Sequence, residues 1–147
     1  MANDLKALTV HGNLDSLELI TNYVLKAAKL AHLNPKDAYR LRLAIDEIAT
    51  NIITHGYTEA GISGKLTIQG YVKINKVVIQ LEDSGQSFNP SQISCSKEVT
   101  VSPETSLKEE GGLGIFLALS SVDHFHYERL PSLNRSTFVI YLRRNNS

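Results

Sequence analysis

The chain has 147 residues, enough for one domain, and 42% of them are hydrophobic, so a buried core is expected and disorder throughout is excluded. Lys plus Arg and Asp plus Glu each number 15, and this formal neutrality argues against a nucleic-acid-binding surface as the main business, since neutralising phosphates needs a basic excess. The single cysteine, Cys95, allows no internal disulfide framework, residues 1–10 lack the apolar core of a signal peptide, and no apolar run nears the ~20 residues of a spanning helix; a soluble cytoplasmic protein with no membrane contact is expected.

In chain order, residues 6–10 suit a first strand. Residues 13–31 read as a helix, with Leu17, Ile20, Val24, Ala27 and Ala31 on one face and Asn13 or Asp15 as cap. A second helix is marked by Asn34 as N-cap, Pro35 at the first helical position and Asp37 at the positive end of the dipole. Leu41, Ile45, Ile48 and Ile52 form its buried stripe and Gly56 its stop. From Lys65 the period becomes two: Leu66, Ile68, Gly70, Val72 and Ile74, a turn at Asn75-Lys76, then Val77, Ile79 and Leu81, with Asp83 at the outgoing end of a hairpin. Residues 89–110, rich in Ser and Thr and edged by Pro90 and Pro103, read as a mobile lid. A short apolar helix is expected over residues 113–122, then strands over 125–129 and 137–143 joined by a turn holding Pro131 and Asn134. This order implies a two-layer α/β (α+β) sandwich in one domain: a mixed, mostly antiparallel sheet covered on one face by helices.

Three polar islands sit at element ends, where ligand sites are built. In the first, residues 46–51, Glu47 and Asn51 fall one turn apart on the same side of the helix, while Asp46 points to the other flank and reads as surface. A carboxylate at the edge of a core suits a general base, and a neutral amide oxygen suits Mg²⁺ beside substrate phosphates. The second island is Asp83-Ser84-Gly85-Gln86-Ser87-Phe88: Asp83 could accept the exocyclic amine of adenine, with Gly85 letting the base approach the backbone. The third, Gly111-Gly112-Leu113-Gly114, opens a helix, where backbone N–H groups can face an anion; it is neither a P-loop nor a dinucleotide fingerprint. Taken singly, each has an ordinary explanation: a solvated helix face, a turn, a hinge.

Taken in order, the islands resemble the ATP-binding motifs of the GHKL superfamily, with its Bergerat fold and ATP lid. Within it they are most similar to the anti-sigma factor serine kinases of bacterial partner-switching systems. Residues 46–57 resemble the N-box, 83–88 the first glycine box and 110–115 the second, and the likeness covers nearly the whole chain. The resemblance implies a protein serine/threonine kinase using ATP and Mg²⁺. Glu47 would be the general base and Asn51 the Mg²⁺ ligand. Asp83 and Gly85 would meet adenine, and Gly111, Gly112, Leu113 and Gly114 would border the phosphates. Where the family often has Gly-Thr at the start of the last strand, Arg135-Ser136-Thr137 stands here, and Thr137 is assigned the adenine-side hydroxyl. The implied partners are a STAS-domain anti-anti-sigma protein, which is phosphorylated, and a sigma factor or other output protein, which is sequestered; homodimerisation is also implied. Two other readings compete: a nucleotide-gated protein-binding module without kinase activity, and the catalytic part of a histidine kinase. Against the latter, no long dimerisation helix carrying an acceptor histidine is visible. His55 reads as a packing or capping residue, and Cys95 has no metal-site partner in sequence.

Overall fold

Alternation of side chains builds the sheet. In the computed structural model, which describes residues 3–87 and 112–143, β1 (Asn3–Asp4) and β2 (Leu8–His11) pair with successive stretches of one edge of β3 (Lys65–Val72). β3 and β4 (Lys76–Asp83) bury every second residue: Leu66, Ile68, Gly70 and Val72 on the first, Val77, Ile79, Leu81 and Asp83 on the second. The hairpin between them closes with Lys73 N donating to Lys76 O at 2.8 Å; Ile74, expected to continue the strand, lies in the turn and is 79% exposed. β5 (His124–Arg129) and β6 (Asn134–Tyr141) form a second hairpin, and β6 pairs with β4. The order is β1-β3-β4-β6-β5, and every pairing among the described residues is antiparallel.

The helices cover one face of this sheet, as the two-layer reading expects. α1 (Leu17–Leu30) follows a 3₁₀ turn at Leu14–Ser16 and buries Ile20, Tyr23, Val24, Ala27 and Ala28. Its Tyr23 hydroxyl accepts Gly70 N at 2.9 Å, tying helix to sheet through the one position on β3 without a side chain. α2 (Pro35–Asn51) is capped as its sequence predicts, with Asp37 N donating to Asn34 Oδ1 at 2.8 Å. α3 (Gly112–Ser121) packs against α2, with Ile115 and Ala118 fully buried. No helix of the described residues is long and apolar enough to cross a membrane.

Two expectations about α2 are corrected. Gly56 does not stop it: the helix widens into a π-helical segment, Ile52–Thr58. Ile52, Ile53 and Tyr57 are buried there, so apolar burial continues past the glycine, and Gly61, with φ of 68°, lies at the actual exit. Asp46 is not free surface. It accepts hydrogen bonds from Thr21 Oγ1 at 2.8 Å and Arg42 Nε at 3.4 Å, and so links α2 to α1. The expected lid (residues 89–110), Cys95 and Gly111 lie outside the described residues.

Candidate functional site

The last turn of α2 carries the first pair. Glu47 is half-buried and Asn51 is buried. Asn51 Nδ2 donates to the Glu47 carbonyl at 2.7 Å, which fixes the amide and leaves Oδ1 as its outward end. No hydrogen bond to Oδ1 is found among the described residues, and none of their buried side-chain polar atoms lacks a partner, so Oδ1 is open to solvent. The Glu47 carboxylate lies against the opening turn of α3. A Cβ on Gly114 would stand 2.8 Å from Glu47 Oε2 and 3.1 Å from Oε1. Gly112 and Leu113 open the same turn. Backbone N–H groups at a helix start have no intrahelical acceptor, so this corner favours negative charge.

Asp83, the last residue of β4, is 5% exposed. Its Oδ1 accepts Gly85 N at 2.9 Å and Asn134 Nδ2 at 3.0 Å. Burial pushes its pKa above the ordinary aspartate range; the hydrogen bonds from Asn134 and Gly85 and the charge of Arg129 pull the other way without cancelling it. Oδ2 accepts nothing among the described residues and, by the same accounting, is open to solvent. A recessed carboxylate with one oxygen tied and one open is an acceptor aimed at a single donor.

The π-helical segment holds the Asp83 loop in place. Gly56 O accepts Gln86 N at 2.9 Å, and a Cβ on Gly85 would meet that same carbonyl oxygen at 2.7 Å, so Gly85 is required by close approach. Tyr57 OH accepts Ser84 N at 2.9 Å and donates to Lys65 O at 2.6 Å. One helix therefore presents Glu47 and Asn51 on its last turn and fixes the Asp83 loop on its π-helical extension. His55 Nδ1 lies 2.7 Å from Glu59 Oε1, one turn on.

The assignment of Thr137 is corrected. On β6 the inward residues are Asn134, Ser136, Phe138 and Ile140; Thr137 is opposite Gln80 on the other face of the sheet, its hydroxyl 3.5 Å from Gln80 Nε2. The hydroxyl on Asp83's face is that of Ser136, 2% exposed. Sequence reasoning missed Ser136, and it placed Asn134 in a turn although Asn134 is buried and opposite Asp83. Counting back by twos from Phe138 and Ile140, the only strongly apolar pair in phase, finds both.

A helix-borne carboxylate and amide, a glycine-opened second helix and a recessed aspartate, over an antiparallel sheet with helices on one face, define an ATPase-type α/β sandwich. The family model of the histidine kinase-like ATPase domain matches residues 10–140, and the chain belongs to that family. It is 30% identical over 95 residues to the serine-protein kinase RsbW of Bacillus licheniformis, covering 63% of this chain and 58% of that protein. It is 27% identical over 107 residues to an anti-sigma F factor of Thermoanaerobacter sp. strain X514, covering 71% of each, and 29% identical over 97 residues to RsbW of Staphylococcus aureus, covering 65% of this chain and 60% of the other. The matched stretch thus spans about three-fifths of the two kinases. Among solved structures, the Acinetobacter baumannii histidine kinase AdeS aligns with a TM-score of 0.49 at 15% identity, over 95% of this chain and 70% of that one.

Proposed function

We propose that the chain is an ATP- and Mg²⁺-dependent protein serine/threonine kinase and anti-sigma factor. In this reading it works in the cytoplasm as a homodimer, phosphorylates a STAS-domain anti-anti-sigma protein and sequesters a sigma factor. The observation that carries the reading is the Glu47 carboxylate, set one turn from the open amide oxygen of Asn51 and against Gly114. A module that only binds nucleotide has use for Asn51 and the glycines but none for Glu47. The relatives named serine-protein kinase and anti-sigma F factor support the same choice.

When bound, ATP with Mg²⁺ supplies the transferable γ-phosphoryl group and neutralises its charge. Asn51 Oδ1 is a hard, neutral oxygen suited to a cation whose other ligands are phosphates and water; among the described residues no cluster of three or more His, Cys, Asp or Glu could hold a metal. Asp83 Oδ2 would take an N–H of the exocyclic amine, and Gly85 lets the loop that carries Asp83 close on Gly56. Glu47 removes the proton of the acceptor hydroxyl as its oxygen attacks the γ-phosphorus and the bond to the bridging oxygen of ADP breaks.

Glu47→Ala tests the assignment. ATP affinity by titration calorimetry is expected within about threefold of wild type, while phosphotransfer falls by about 10²-fold or more. Loss of both would make Glu47 structural. Tight ATP binding by a wild type that transfers phosphate to no acceptor would instead favour the nucleotide-gated binding module.

A further inference from the structure

The buried Asn134 side chain touches both Asp83 and Gly85. Its Nδ2 donates to Asp83 Oδ1 at 3.0 Å and to Gly85 O at 3.1 Å. Its Oδ1 accepts Arg129 Nη1 at 2.9 Å and Tyr127 OH at 2.6 Å. Chemistry fixes the orientation of this amide without reference to hydrogens. A guanidinium only donates, so Oδ1 faces β5; a carbonyl only accepts, so Nδ2 faces Asp83 and Gly85. Tyr127 gives its proton to Asn134 and is left to accept from Ser87 Oγ, 2.9 Å away, so the network extends past Gly85 to the far side of the same loop.

This arrangement does more than satisfy a buried amide. Asn134 and Gly85 N together saturate Asp83 Oδ1, which prevents the carboxylate from rotating about χ2 without losing two hydrogen bonds. Oδ2 is thereby left as the carboxylate oxygen with no hydrogen bond among the described residues. We infer that Asn134 is a positioning residue for base recognition: it orients the Asp83 carboxylate toward the 6-amino group of the purine, with Tyr127 and Arg129 holding it in turn. The inference rests on the proposed ATP site, and it assigns discrimination at purine position 6 to a residue pair 51 positions apart in sequence.

The test compares ATP with purine riboside 5′-triphosphate, which lacks the 6-amino group, by titration on wild type, Asn134→Ala and Tyr127→Phe. Wild type should prefer ATP by about tenfold or more, the worth of a hydrogen bond to a charged acceptor. In Asn134→Ala the preference should fall toward unity, with affinity for the deaminated analogue little changed. Tyr127→Phe, which removes one hydroxyl from a half-buried side chain and carries the test should Asn134→Ala fail to fold, should lower the preference in the same direction by less. If both nucleotides weaken by the same factor, or both variants keep the wild-type preference, Asn134 has no part in reading the base. If wild type binds neither nucleotide, the ATP-site reading itself fails and takes this inference with it.

Discussion

Gly114 and Asp83 separate activity from stability in opposite ways. At Gly114 a methyl group would press on the Glu47 carboxylate at 2.8–3.1 Å, and that carboxylate is the far end of a flexible side chain. Alanine is also the better helix former by about 0.5–1 kcal/mol. Gly114→Ala should therefore leave thermal stability unchanged or slightly raised, while phosphotransfer drops at least tenfold because the proposed base is displaced; an active variant would show that Glu47 need not stand there. At Asp83 the folded protein holds its proton more tightly than the unfolded chain does, because burial raises its pKa. Its contribution is therefore most favourable at acid pH and falls away as pH rises from the ordinary aspartate range, about 4, through the folded value. Asp83→Asn keeps an oxygen to accept from Gly85 N and Asn134 Nδ2 but carries no charge. Measured by urea unfolding, the variant should gain on wild type as pH rises through that window and be at least as stable at neutral pH, yet bind ATP poorly. A variant that loses ground to wild type as pH rises would contradict a raised Asp83 pKa.

The π-helical segment is the element on which the site depends. An α-helix ending at Gly56 would give no reason for Tyr57 to sit where its ring closes on Gly12 and Gly64, which have no side chains to obstruct it, or for its hydroxyl to bridge Ser84 N and Lys65 O. Tyr57→Phe removes that hydroxyl from a residue 1% exposed and strips a partner from two backbone groups. The expected cost is about 1–3 kcal/mol, seen as a lower urea midpoint at unchanged slope. No change would mean the loop is anchored elsewhere. This is also where the sequence misled. Glycine usually marks a stop, whereas here Gly56 lies inside the helix with its carbonyl accepting Gln86 N, and the close approach is made by Gly85, whose Cβ would meet that oxygen. Periodicity did find the elements themselves: the Asn34 cap, the β3–β4 hairpin and the β5–β6 pair were legible because each rests on local chemistry.

At the scale of the molecule, what local pattern could not supply was pairing across the chain. Glu47 with Asn51 was legible because both lie on one helix, and Asp83 with Gly85 because both lie in one turn. That Asn134 faces Asp83, that Ser136 rather than Thr137 shares its side of the sheet, and that Thr21 holds Asp46 all depend on register between distant segments. A slip of one residue along β6 moves every side chain to the opposite face, so choosing between the adjacent Ser136 and Thr137 needs the register with β4. The family membership and the helix-borne carboxylate support the proposed transfer of phosphate from ATP to a protein hydroxyl with Glu47 as base. The most direct test is incubation of wild type and Glu47→Ala with γ-labelled ATP, Mg²⁺ and candidate STAS-domain proteins. Wild type should place acid-stable phosphoserine or phosphothreonine on one candidate and the variant none; equal labelling by both would remove Glu47 as the base.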